Sequence, residues 1–319
     1  VRIDGGSWVS IGNVSCYEIT GLLEGYHTID IKVVDVYDNY NISTIGVIVD
    51  FTPPNVEYSS NSYTLNSAQS EVTISWSGTD SVGIAYYLVK IGDGEWQYVG
   101  KNTSISIDNS LSDGIYTVYL KAVDLAGNYN ITYTMLIVDR INPTLGIVSP
   151  NNQSYLSSTT LTITWSMDDN MVALASICID GGEWVYLGRQ SNYQTALNEG
   201  QHTIDIKAED IAGNIVVSRL VIYIDTTPPQ ISIITPSDGE VLTTSQVIIQ
   251  WSGEDNIGID YYLVRIDSGD WIKTYDTTYT VTLVDGTHTI VVKGVDKAGN
   301  VDEKSVVIYV NTNQAHTSD

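Results

Sequence analysis

One phrase recurs four times along the 319 residues: a turn of the D-G-x-W kind, a G-x-H/Y-T corner and a D-x-x-G/D-N turn, followed in the first three copies by an acidic residue leading into proline. Trp8, Trp96, Trp184 and Trp271 mark the first element and Asp35, Asp124, Asp210 and Asp296 the third, at spacings of 86 to 89 residues. A period that long excludes a solenoid of small units and requires tandem domains, each large enough to bury its own core. Any residue proposed for function must therefore be compared with its counterparts in the other copies.

Within one copy the pattern is that of strands. Val72, Ile74 and Trp76 alternate with Thr73, Ser75 and Ser77, the period-2 signature of a half-buried strand. Tyr87, Val89 and Ile91 continue it before Asp93-Gly94, a dipeptide suited to a tight hairpin. Tyr116, Val118, Leu120 and Ala122 then face inward, and Asp124 to Asn128 turn the chain into a last strand, Tyr129 to Val138. No segment sustains a helical period. About seven short strands with regular turn signals predict an all-β class of tandem β-sandwiches. A Trp closing the second strand, Tyr-x-Val in the third, and Leu111-x-x-Gly114-x-Tyr116-x-Val118 leading to Ala-Val-Asp resemble a fibronectin type III module or the Ig-like surface repeats of bacteria and archaea. The resemblance covers essentially the whole chain. It implies spacers, adhesive modules or structural subunits outside the cell; it does not by itself assign a function.

The expected modules are an incomplete one at 1–50, lacking its first two strands, and complete ones at 51–139, 140–225 and 226–319, the last with a polar tail from Asn311. Trp8 has only seven residues ahead of it, so the chain is expected to be a piece of a longer polypeptide. A neighbouring subunit could supply the missing strands by β-augmentation. The junctions Asp50-Phe-Thr-Pro53-Pro54, Asp139-Arg-Ile-Asn-Pro143 and Asp225-Thr-Thr-Pro228-Pro229 are stiff, because proline fixes φ and extends its predecessor. An elongated, semi-rigid array is expected, on the order of 100 Å for four modules with strands of about eight residues.

Each junction aspartate should approach two acidic loops of the following module. The sets are Asp50 with Asp80 and Asp124; Asp139 with Asp168, Asp169 and Asp210; and Asp225 with Glu254, Asp255 and Asp296. Such carboxylates, with Asn128, Asn214 or Asn300 nearby, supply the oxygen ligands that Ca²⁺ requires. The plain alternative is that Asp-x-x-Gly-Asn is good turn chemistry without an ion. Sequons stand at Asn13, Asn41, Asn102, Asn130 and Asn152 as candidate glycosylation sites in a secreted context.

A formal charge of −24, from 38 acidic and 14 basic residues, excludes a phosphate-tracking surface, and hence nucleic acid as a partner. It favours solubility and cation binding. The longest apolar runs are strand-sized, so no membrane insertion is expected in this segment. Cys16 and Cys178 occupy non-equivalent positions in different copies and are read as small buried hydrophobes. His27, His202 and His288 take the corner position that Tyr116 holds in the second copy, and are read as hydrogen-bonding to nearby backbone. No H-E-x-x-H, G-x-S-x-G, P-loop or Rossmann phrase is present, which argues against an enzyme. The resulting expectation is an extracellular or cell-surface structural or adhesive array, such as a surface-layer, stalk or filament component, self-associating or bound to neighbouring surface proteins. The alternative is a set of glycan-binding accessory modules, since 22 tyrosines and 7 tryptophans offer stacking faces.

Overall fold

A computed structural model describes residues 1–313; the remainder of the polar tail lies outside the described residues. Contacts divide the chain into two units, Val1–Ile141 with Ile211–Asn214, and Asn142–Asp210 with the rest from Ile215. In the first unit, residues 55–58, 71–79 and 104–108 form a three-stranded sheet. Facing it is a five-stranded sheet in the order 62–65, 129–138, 114–124, 84–91, 97–100. The second unit repeats this plan twice, with three-stranded sheets led by 144–149 and 230–235. Among the described residues there is no α-helix.

The expected first strand is in fact two. After Tyr58 the chain leaves one sheet, and Ser62–Leu65 adds parallel to Met135–Val138 at the edge of the other. This split gives eight strands per sandwich where the hydrophobic pattern suggests seven. The reason is local: Ser59-Ser60-Asn61-Ser62 carries no apolar side chain to hold it on either face.

Inward side chains fill the space between the sheets. Ile74, Leu120, Leu136 and Leu65 are fully buried around Trp76 in the second copy, and Ile249, Ile290 and Ile308 around Trp251 in the fourth. The inner tryptophan packs edge-on against Tyr87 or Tyr262, with centroids 5.9 and 5.7 Å apart. In the first copy, residues 2–3, 25–34 and 40–49 make a single three-stranded sheet. Its Ile31, Val33 and Ile45 are exposed. Cys16 corrects the expectation of two buried thiols: it lies exposed in a stretch without strand pairing, whereas Cys178 is buried on its strand.

The turn residues do what their backbone demands. Asp38 adopts φ 64° where Gly127, Gly213 and Gly299 adopt 97°, 84° and 90°, the left-handed conformation that short polar residues tolerate. Three of the four D-G-x-W tryptophans stay partly exposed beneath cations: Arg2 over Trp8 at 4.7 Å, Lys207 over Trp184 at 5.7 Å and Arg265 over Trp271 at 4.4 Å.

The corner histidines carry a partner that their position does not reveal. Nε2 of His27, His202 and His288 bonds the carbonyl four residues back, as the Tyr116 hydroxyl does to Ser112. Nδ1 faces Asp4, Asp180 or Asp267 at 2.7 to 2.9 Å. Each aspartate also accepts the N–H of the residue after its histidine. Where Tyr116 replaces the histidine, Gly92 replaces the aspartate. The bond to Asp267 and the Val284 carbonyl raise the His288 pKa; at His202, burial opposes the rise but Asp180 and the Asn198 carbonyl outweigh it. Partial desolvation opposes the ionisation of Asp267, yet the imidazole and the Thr289 N–H leave its pKa lowered. The histidine contribution is complete below the ordinary imidazole value of about 6.5 and is lost as pH rises through the elevated folded value. The aspartate contribution is complete above about 3.9 and is lost as pH falls through its depressed value. Thermal stability is therefore expected to be higher at pH 5.5 than at pH 8.5, and Asp267→Asn with Asp180→Asn to flatten that difference. An unchanged pH profile in the double variant would refute the pairing.

Candidate metal centre

The acidic turns are built by the same local device throughout. One carboxylate oxygen of each aspartate folds back onto backbone N–H groups of its own turn, an Asx arrangement. Asp124 Oδ1 accepts from Ala126, Gly127 and Asn128 at 2.7 to 2.9 Å, and Asp80 Oδ1 from Val82 and Gly83 at 2.9 and 2.8 Å. Asp50 Oδ1 accepts from Thr52 at 3.1 Å. In the second unit Asp225 Oδ1 accepts from Thr227, Asp255 Oδ1 from Ile257 and Asp296 Oδ1 from Asn300. Turn chemistry thus accounts for one oxygen of each residue. The second oxygen of Asp296 accepts from Asn300 Nδ2 at 2.8 Å, whereas turn chemistry leaves those of Asp50, Asp124, Asp225 and Asp255 unexplained.

The carboxylates converge. Asp50, Asp80 and Asp124 bring ligand atoms within 4.8 Å of one another, and so do Asp225, Asp255 and Asp296. Asp124 and Asp296 are 2% exposed and Asp225 is 0% exposed. Oδ2 of Asp50, Asp124, Asp225 and Asp255 is buried with no hydrogen-bond donor from the protein. Burial first, and then the charges of Asp255 and Asp296, raise the Asp225 pKa. Clustered buried carboxylates without donors repel one another and forgo solvation, which costs several kcal/mol unless a cation compensates. The donor set, hard oxygens from three carboxylates, fits a hard divalent cation such as Ca²⁺ better than a soft metal.

Glu254 and Asp168 do not join these clusters. Glu254 ends its strand exposed, and the next residue, Asp255, turns inward. Asp168 Oδ1 accepts from its neighbour Asp169, which itself caps Met171 and Val172. Asp139 belongs to the first unit, where it is buried and accepts the N–H of Ile141; Asp168, Asp169 and Asp210 belong to the second, where Asp210 is buried. The amide nitrogens of the turn asparagines hold the connector. Asn128 Nδ2 donates to the Asp50 carbonyl at 3.0 Å and Asn300 Nδ2 to the Asp225 carbonyl at 2.8 Å. They staple the connector backbone and place the junction carboxylate over the turn.

A second staple lies just ahead of the corner glycine. Glu24 accepts from Phe51 N–H at 2.6 Å and Thr52 Oγ1 at 2.7 Å, Glu199 from Thr226 N–H at 2.9 Å and Thr227 Oγ1 at 2.8 Å, and Asp285 from Thr312 N–H at 3.0 Å. Arg140 reaches Asp113 at 2.7 Å in the equivalent place. The threonine bonds lower the pKa of Glu24 and Glu199. The sequence signal was the acid-Gly pair repeated at Glu24-Gly25, Asp113-Gly114, Glu199-Gly200 and Asp285-Gly286. All five sequon asparagines are exposed; the amide oxygens of Asn130 and Asn152 also accept from the N–H groups of Ile131 and Val221. Among the described residues no helix is long and apolar enough to cross a membrane.

Residues 229–292 match the family model described as Bacterial Ig domain. The chain is 24% identical over 315 residues to a Kelch domain-containing protein of Saccharolobus solfataricus, covering 95% of this chain and 41% of that protein. It is 27% identical over 243 residues to chitinase A1 of Niallia circulans, covering 65% and 34% respectively. The chain thus spans less than half the length of these curated relatives. Among solved structures, fibronectin(III)-like modules of Clostridium thermocellum CbhA are 19% identical, covering 54% of this chain and 94% of that one, at a TM-score of 0.41. The family match falls on the fourth sandwich, from its first strand into Gly286–Asp296, and the same strand order recurs in the two preceding sandwiches. The fourth sandwich thus carries the match to the bacterial Ig-domain model, and the chain as a whole is built from sandwiches of that strand order.

Proposed function

We propose that the chain is a structural or adhesive segment of an extracellular or cell-surface protein, and that calcium held at its junctions stiffens it. Asp50, Asp80 and Asp124 would hold one ion and Asp225, Asp255 and Asp296 another. The observation that carries this reading is the set of buried carboxylate oxygens left without a donor after every turn bond is made. The same carboxylates recur in successive copies with one oxygen committed to backbone, which favours a structural role over tuned acid–base chemistry. The module boundaries at 50/51, 139/140 and 225/226 follow from the same repeat, and the sequons at Asn13, Asn41, Asn102, Asn130 and Asn152 are all exposed for glycosylation. Surface-layer, stalk and filament roles all fit such an array.

Limited proteolysis tests the junctions directly. Cleavage within residues 50–54 and 225–229, mapped by fragment mass, should be slow in calcium and fast in chelator. Equal cleavage in both would overturn the proposal. A second reading, glycan-binding accessory modules, is favoured by the chitinase among the relatives and by the exposed rings of Trp96 and Trp184. Retention on insoluble polysaccharide checks it.

A further inference from the structure

The outer faces of the five-stranded sheets differ in one respect that folding does not demand. Five residues after each corner glycine, a side chain on the outer face sits opposite a partner on the last strand. In the first copy the pair is Asp30 with Thr44, joined at 2.6 Å, and in the third it is Asp205 with Arg219, joined at 2.7 and 2.8 Å. In the fourth it is Val291 with Ser305. In the second it is Tyr119 with Tyr133, rings 6.5 Å apart and Tyr133 72% exposed. The third and fourth copies build the same five-stranded sheet without aromatics there, so the tyrosines are not a requirement of the fold.

The surroundings extend the patch. Tyr98, 66% exposed, packs against Tyr86 at 5.4 Å on one side, and Tyr129 and Met135 lie exposed along the last strand on the other. The charges differ as well. Lys207 and Lys293, at the position of Lys121, pair with Glu209 and Glu303. Lys121 and Lys90 lie over the rings of Tyr129 at 3.8 Å and Tyr119 at 5.4 Å, and, unlike Lys207 and Lys293, neither has a carboxylate partner among the described residues. This is a tyrosine-rich patch with two uncompensated cations, on a chain whose net charge is −24. Tyrosine is the residue that best combines buried area with a polar tip at interfaces, and exposed apolar patches of this kind mark contact sites.

We propose that this face, the outer side of the sheet formed by strands 84–91, 97–100, 114–124 and 129–138, docks onto the acid-rich surface of a second copy of this chain. The two lysines supply the charge complementarity and the tyrosines the buried area. The proposal deepens the structural-array reading and rests on it. The test is sedimentation velocity from 1 to 200 µM in calcium, at low and high salt. The wild-type chain should associate with rising concentration, less so in high salt because the lysine–carboxylate attraction is screened. Tyr119→Asp with Tyr133→Arg installs the third copy's own pair, so the sheet should fold with an unchanged melting temperature while association falls at least tenfold. Tyr98→Ser alone, on a separate strand, should weaken association in the same direction.

A wild-type chain that stays monomeric throughout, or variants that associate as it does, would overturn the proposal. The array reading is separated from it by the calcium response of the junctions: association unaffected by the tyrosine variants, with calcium-dependent protection intact, removes this face alone. Retention on insoluble polysaccharide that is lost in Tyr119→Asp with Tyr133→Arg, in a monomeric wild-type chain, would reassign the face to glycan.

Discussion

Chelation of calcium is expected to lower the melting temperature of the calcium-saturated chain by on the order of 10 to 20 °C in the transition that includes the fourth sandwich. A ligand at a hundred times its dissociation constant adds about 2.7 kcal/mol to the folded state. For a module of this size, about 1 kcal/mol moves the midpoint by roughly 4–8 °C. Calorimetry in calcium and in chelator measures the shift directly. No shift beyond error would mean that the buried carboxylates are compensated in some other way, and the cation proposal would fall.

Asp225→Asn sharpens this because its sign changes with conditions. Asp225 is fully buried and faces the charges of Asp255 and Asp296. Without cation, replacing one anion by a neutral amide relieves repulsion and offers an N–H₂ donor to an oxygen that has none. The variant should then melt above the wild-type chain. In calcium it lacks one anionic ligand and should melt below it. A variant that is less stable in both conditions would indicate that Asp225 acts through its backbone surroundings and not through its charge.

The sandwiches were legible because their signals are local. Alternation around Trp76, Trp165 and Trp251 identifies the buried faces, and Asp-Gly and Gly-Asn turns separate the strands, both within a few residues. The convergence of the junction aspartates was legible only through the repeat, which puts the same acids at the same two turns in each copy. What was not legible depends on contacts between distant residues. Asp267 meets His288 across 21 residues, and Glu24 meets Thr52 across 28. Neither is implied by turn chemistry. The choice of Asp255 over Glu254 depends on which side chain faces the junction where a strand ends, and the division of the first strand between two sheets depends on a polar break too short to register as a turn.

Trp251→Ala and Trp251→Phe are expected to have very different effects, although both remove the same indole. Trp251 is 1% exposed between Tyr262, Ile249 and Val292, so alanine leaves a large cavity, for which a loss of about 3–5 kcal/mol is typical. Phenylalanine also loses volume, but it removes a liability as well. Nε1 of Trp251, like that of Trp76 and Trp165, is buried without an acceptor. An unsatisfied buried donor costs about 1–3 kcal/mol, and its removal offsets much of the lost packing. Denaturation followed by calorimetry should therefore place Trp251→Phe within about 1 kcal/mol of the wild-type fourth sandwich and Trp251→Ala far below it. Equal losses in the two variants would mean that the indole N–H is satisfied in solution, and that the tryptophan contributes a bond as well as bulk.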